Sequence, residues 1–228
     1  MPLQATYDAL RQAALPRLGR GEAELDPLID SPQDTRRGIT LLARPSAPIT
    51  AALAEMMAEF QLTEPAQYYY PPTDIHLTIL SIISCYPDFK LHEINPASYR
   101  CALRQIIQFI PPFRLTYQGL TASASGILAQ GFPQGKELEE LRTDIRNLFQ
   151  DSDLQQSIDK RYSIQTAHST IIRFKTPLQN PAKLLANLKK YERHFFGTFE
   201  VNKLELVYND WYQRARNTVV LDEYLLSR

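Results

Sequence analysis

Two short stretches carry side chains whose chemistry goes beyond what packing requires. In DIHLTIL, Asp74 to Leu80, His76 and Thr78 interrupt an apolar run, and in TAHSTII, Thr166 to Ile172, His168 and Thr170 repeat the arrangement. Side chains alternate along a strand, so His76 and Thr78 share one face while Leu77 and Ile79 take the other. His168 and Thr170 stand in the same relation to Ser169 and Ile171. A neutral imidazole can take a proton from a nucleophile, and a protonated one can give a proton to a leaving group. Threonine hydroxyls can donate to the non-bridging oxygens of a phosphate. Two histidines and two hydroxyls meeting in one cleft therefore suit in-line phosphoryl transfer without a metal.

A single H-x-[ST] followed by an aliphatic residue is a weak signal, since a core histidine bonded to a nearby hydroxyl explains it equally well. Two of only four histidines carry it here, 92 residues apart, each in an expected strand. The elements around them repeat. GITLLAR is a strand, ITAALAEMMAEFQL a helix opened near Pro48, QYYYPPTDIHLTILSI a strand region, NPASYRCALRQIIQFI a helix capped by Asn95, and FRLTYQGL a strand. SGILAQGF, GKELEELRTDIRNLFQ, TAHSTIIRF, NPAKLLANLKKYERHF and TFEVNKLELVYND then run strand, helix, strand, helix, strand, and RARNTVVLDEYLL closes the chain as a strand pair or hairpin arm. An internal repeat is the simplest account of that order.

The expected fold is α+β and bilobal: duplicated strand-helix-strand units whose antiparallel-rich sheets face a central cleft, with helices outside. Residues 1–37 read as an N-terminal helical appendage, a packed extension or a lid. Within it LQATYDALRQAAL has helical spacing at Leu3, Tyr7, Leu10 and Ala14 and stops near Pro16. Residues 38–228 form the bilobal domain, with lobes of roughly 38–122 and 123–228 and possible strand exchange between them.

His76-Leu77-Thr78-Ile79 and His168-Ser169-Thr170-Ile171 together resemble the paired motif of the two-histidine (2H) phosphoesterase superfamily, which includes 2′-5′ RNA ligase-like proteins and 2′,3′-cyclic nucleotide phosphodiesterases. The resemblance covers roughly residues 38–226. It implies a bilobal fold with both motifs on central strands facing a shared cleft. It also implies metal-independent hydrolysis or transfer at a cyclic phosphate or 2′-5′ phosphodiester, with His76, Thr78, His168 and Thr170 as the catalytic four. The appendage and the tyrosine-rich approach QYYYPP depart from the family pattern and bear on the substrate.

Further residues qualify as substrate contacts. Tyr70, in the run Tyr68 to Tyr70, would stack a base or serve as half-buried packing. Tyr208, Trp211 and Arg214, in VYNDWYQRARN, would read a base and a phosphate at the cleft rim, with Trp211 equally suited to plugging the core. Arg173 lies five residues past His168. Regular alternation puts it on the opposite face, so phosphate contact would require a bulge. His92 and His194 lack a partner hydroxyl and are expected in surface or capping roles.

Composition sets the remaining bounds. Lys plus Arg and Asp plus Glu are both 25 in 228 residues, so the formal net charge is zero. A clamp for long nucleic acid carries a basic excess, so the expected partner is a small nucleotide or RNA end. Cys85 and Cys101 form no framework, and neither a signal peptide nor a membrane span is expected, which points to a cytoplasmic location. No cofactor or metal is expected, since no P-loop, GxGxxG, HExxH, CxxC or GxSxG is present. A monomer is expected. The reading is thus a hydrolase of the cyclic phosphodiesterase or 2′-5′ RNA ligase-like type. Its rivals are a non-catalytic nucleotide- or RNA-binding module, and an acid/base enzyme acting on a non-phosphate small molecule such as a sugar.

Overall fold

The structure is a computed structural model and describes residues 3–160 and 163–227. After helix α1 (Leu3–Gly19), strand β1 (Arg37–Ala43) leads to helix α2 (Ala47–Gln61), strands β2 (Tyr68–Tyr69) and β3 (Leu77–Tyr86), helix α3 (Pro96–Ile107) and strand β4 (Phe113–Ser123). Strand β5 (Gly126–Pro133), helix α4 (Glu137–Gln150), strand β6 (Ser169–Arg173), helix α5 (Pro181–Lys190) and strands β7 (Phe195–Val201), β8 (Lys203–Asp210) and β9 (Val219–Leu225) complete it.

The helices start where local chemistry sets them. The Asn95 side chain accepts the Ala97 N–H at 3.1 Å ahead of Pro96, and the Asn180 side chain accepts the Lys183 N–H at 3.0 Å ahead of Pro181. Each asparagine satisfies a donor the first turn cannot, while the proline has none to waste. Helix α4 buries Leu138, Leu141 and Ile145 on one stripe. Helix α1 continues through Pro16 to Gly19 rather than stopping there. Pro16 sits on the exposed side, while Ala14 and Leu18 around it are buried, so packing outweighs the lost backbone bond.

Two antiparallel sheets result, in the orders β3-β1-β8-β9 and β2-β6-β5-β4-β7. Each draws strands from both halves of the chain. Helices α3 and α4 cover the first sheet, and α1 and α2 cover the second, with α5 packed against both of the latter. The α+β, two-lobed, helix-outside architecture is the one expected from the element order. One expected strand divides. TFEVNKLELVYND becomes β7 at the edge of the second sheet and β8 inside the first, with Asn202 alone between them.

The repeat extends to the pairing register. Leu42 of β1 faces Thr78 and Ala43 faces Leu77; Leu128 of β5 faces Thr170 and Ala129 faces Ser169. Strand β8 then flanks β1 as β4 flanks β5, with β9 and β7 at the far edges. Among the described residues, no helix is long and apolar enough to cross a membrane.

Candidate active site

Both motif histidines occupy the residue immediately before a strand, His76 ahead of β3 and His168 ahead of β6. Each motif strand then bulges at the same place. Leu41 faces Leu80 while Leu42 faces Thr78, and Ile127 faces Ile172 while Leu128 faces Thr170. Ile79 and Ile171 are therefore the extra residues. A bulge resets the alternation of faces downstream of it. Arg173 thus reaches the histidine face, contrary to regular alternation, and lines the same cavity as His168 and Thr170.

That cavity has a volume of about 400 Å³. Thr78, His168, Thr170, Arg173 and Trp211 line it, and Thr6 and Leu10 of α1 close one side. His76 borders the group. Its carbonyl accepts the Ser169 hydroxyl at 2.6 Å, and its ring lies close enough for the charges of His168 and Arg173 to act on it.

The two motif strands are stitched together by buried polar side chains. Arg142 of α4 donates from Nε to the Ile79 carbonyl at 2.8 Å, and from Nη2 to the Thr78 and Thr166 carbonyls, each at 2.9 Å. One guanidinium thus ties the backbone of the first motif to the approach of the second. Ser169, buried on the face away from the cavity, also meets the Tyr117 hydroxyl at 2.5 Å.

The imidazoles are held differently. His76 Nδ1 lies 2.8 Å from the Asp74 carbonyl, which only accepts, so Nδ1 carries the proton and Nε2 is the basic nitrogen of the neutral ring. His168 Nδ1 lies 2.7 Å from the Thr166 hydroxyl, which either donates or accepts. Burial, opposed by the Asp74 carbonyl and reinforced by Arg44, Arg173 and His168, pushes the His76 pKa down to about 3. Burial, with Arg142 and Arg173, pushes that of His168 down to about 4. Both rings are therefore neutral at pH 7.

Among the described residues, the Arg173 side chain makes one hydrogen bond, from Nε to the Tyr70 hydroxyl at 2.9 Å. Its guanidinium lies 5.9 Å from the Trp211 ring centroid, and that of Arg36 lies 5.2 Å from the same ring. Tyr70 itself is buried, with its ring 6.5 Å from His76, so it orients Arg173 rather than offering an open stacking face. Trp211, half-buried, lines the cavity.

The other two rim candidates do not line it. Tyr208 lies on β8, with its hydroxyl donating to the Phe89 carbonyl at 2.9 Å. Arg214 donates to the Ile29 carbonyl, pairs with Asp210 at 3.7 Å and stacks 4.4 Å from the Tyr212 ring centroid. It braces the 211–217 loop, which Asp74 ties to the His76 approach by accepting the Ala215 N–H at 3.0 Å. Asp74 and Arg142 have no recognisable local signal, because their roles depend on segments far away in the chain.

No protein-family model matches this chain, and no curated protein matches it in sequence. Solved structures do match in shape. TT0787 of Thermus thermophilus aligns with a TM-score of 0.60 at 17% identity, over 84% of this chain and 97% of that one. E. coli LigT complexed with 3′-AMP aligns with a TM-score of 0.56 at 15% identity, over 85% of this chain and 99% of LigT, and LigT complexed with phosphate aligns at 0.53. ATU0111 of Agrobacterium tumefaciens, a conserved protein of unknown function, aligns at 0.58 with 13% identity, over 91% and 98%. The chain therefore has the LigT fold, the two-lobed architecture that its paired H-x-T motifs led one to expect.

Proposed function

We propose that the protein is a phosphoesterase that opens a 2′,3′-cyclic phosphate, or cleaves a 2′-5′ phosphodiester, at a nucleotide or RNA end. The observation that carries this reading is the pair of H-x-T motifs in matching register, with Thr78, His168, Thr170 and Arg173 around one cavity and His76 at its border. The LigT structures with 3′-AMP and with phosphate support a nucleotide phosphate as the occupant.

The side chains supply each role the reaction needs. Neutral His76, with Nδ1–H fixed on the Asp74 carbonyl, takes a proton from water at Nε2. The oxygen of that water bonds to phosphorus, the bond to one ribose oxygen breaks, and His168 delivers a proton to the departing oxygen. Arg173 and the two threonine hydroxyls donate to the non-bridging oxygens, where charge shifts as the bonds exchange. Arriving phosphate also offsets the arginine charges that help keep His168 neutral before substrate binds, so substrate itself favours the protonated acid. The product is a monoester. Ligation would run the chemistry backwards with a ribose hydroxyl in place of water, and the zero net charge disfavours a long-RNA partner.

The test is turnover of the four nucleoside 2′,3′-cyclic phosphates and a 2′-5′ dinucleotide in EDTA, with wild type beside His76→Ala and His168→Ala. Loss of about 10²-fold or more in both variants is expected for a missing acid or base. Folded wild-type protein inactive on all of these substrates would overturn the proposal.

A further inference from the structure

Helix α1 lies outside the two-histidine repeat, yet two of its side chains line the cavity and a third holds the approach to His168. The Tyr7 hydroxyl is fully used. It donates to the Gly131 carbonyl at 3.0 Å and accepts the backbone N–H of Gly131 at 3.2 Å and of Ala167 at 3.1 Å. Ala167 is the residue before His168. Around this point β5 and the 165–168 segment run so close that a Cβ on Gly131 would lie 1.9 Å from the Ala167 carbonyl oxygen. Tyr7 itself is wholly buried and meets Phe132 edge-on, with ring centroids 5.5 Å apart.

The helix is anchored on either side of that phenol. Thr121 Oγ1 donates to the Tyr7 carbonyl at 3.0 Å, and Arg11 Nη1 donates to the Leu120 carbonyl at 3.0 Å. Thr6 and Leu10, four residues apart, fall on one helical face, and both line the cavity beside Thr78, His168 and Thr170. A helix pinned this firmly presents a fixed wall, not a mobile cover.

We propose that α1 is a working part of the active site: Tyr7 is a positioning residue for His168, and Thr6 and Leu10 form the wall against which a small nucleotide substrate is held. The inference rests on the phosphoesterase reading for its substrate, but its geometry stands apart from it. The wall blocks one end of the cleft and so selects short substrates, consistent with a chain of zero net charge.

The experiment combines Tyr7→Phe and Leu10→Trp with kinetics on a nucleoside 2′,3′-cyclic phosphate, at temperatures where circular dichroism shows each variant folded. Tyr7→Phe keeps the ring and removes only the oxygen. It is expected to lower kcat by about 10–100-fold with KM nearly unchanged, the cost of a misplaced catalytic group. The His168 imidazole NMR signals should shift while those of His92 stay in place. Leu10→Trp is expected to weaken 3′-AMP binding and raise KM by about tenfold or more, by filling the cavity. A folded Tyr7→Phe variant with wild-type kcat and unmoved His168 signals would overturn the positioning role. Unaltered 3′-AMP affinity in Leu10→Trp would overturn the wall. Were wild type inactive on every phosphate ester, the phosphoesterase reading would fall alone, because the NMR and 3′-AMP measurements need no turnover.

Discussion

Arg142 offers the most direct check on how the site is held together. Its guanidinium is buried, pairs with no carboxylate among the described residues, and bonds three carbonyls at 2.8–2.9 Å across the two motif strands. Hydrogen bonds to a charged group contribute roughly 1.5–3 kcal/mol each, so the three amount to about 4–9 kcal/mol. Against this, burial first, and then the nearby Arg146 charge, push the Arg142 pKa down to about 10. Holding that charge in the folded state costs about 3 kcal/mol. Arg142→Met preserves much of the stem and removes both contributions, so the net loss should be about 1–6 kcal/mol, up to a large share of a typical domain's stability. Urea unfolding monitored by circular dichroism measures it. Arg142→Lys keeps the charge without the fork geometry and should fall between wild type and Arg142→Met.

The same variant has a second, electrostatic consequence. After burial itself, the Arg142 charge acts most strongly to hold His168 neutral. Without it, the alkaline limb of kcat/KM, set by loss of the proton that His168 must donate, should move to higher pH, toward the ordinary histidine value. A loss under about 1 kcal/mol with an unmoved alkaline limb would refute the reasoning, because three satisfied carbonyls and a buried charge cannot vanish together unnoticed.

Two further outcomes follow from the same geometry. The histidine pKa values of about 3 and about 4 in the folded state lie below the ordinary 6.5, so between these limits the unfolded chain binds more protons and acidification favours unfolding. Stability should be fully present above pH 6.5 and fall as pH drops toward 4, by at most about 1.4 kcal/mol per pH unit for each ring, an upper bound because both rings are half-open to the cleft. A His76→Gln, His168→Gln double variant with an undiminished slope in urea titrations would contradict this. Arg173→Lys keeps the charge but loses the planar fork and the Tyr70 bond, so kcat/KM should drop by about 10–10²-fold, with Tyr70→Phe dropping less. Equal losses in the two variants would show that Arg173 acts only through its position.

What is local in this chain is legible in its sequence, and what depends on pairing is not. His76-x-Thr78 and His168-x-Thr170 can be read because strand alternation alone places each pair on one face. Asn95-Pro96 and Asn180-Pro181 announce helix starts for equally local reasons. The bulges at Ile79 and Ile171 carry no local mark. They exist only in the pairing of β3 with β1 and of β6 with β5, and the second of them brings Arg173 into the cavity. The division between β7 and β8 does leave a local mark, since the apolar alternation of Phe199 and Val201 slips by one residue at Asn202-Lys203 before resuming at Leu204 and Leu206, but that the two pieces join different sheets is set by pairing. Tyr7 fits a helical stripe and faces inward as that stripe requires, but its three backbone bonds reach residues more than 100 positions away.

Duplication by itself would give a site with two equal histidines, and a reaction that breaks one particular phosphorus–oxygen bond cannot use them equally. The differences between the repeats matter more than the likeness. Five residues past each histidine, beyond each bulge, the second repeat has Arg173 where the first has Ser81. Ser169 reaches the His76 carbonyl, whereas Leu77 at the matching place only packs. A carbonyl fixes one proton on His76, whereas a hydroxyl leaves His168 free to hold its proton on either nitrogen. Each substitution adds polar or charged function on the His168 side. On the proposed phosphoesterase reading, a bound phosphate would be drawn toward Arg173, and the ring with the fixed tautomer would be left to face the incoming water. On that reading, asymmetry laid over a symmetric scaffold would give the two histidines separate duties, and the choice of bond to break would follow from which side holds the arginine.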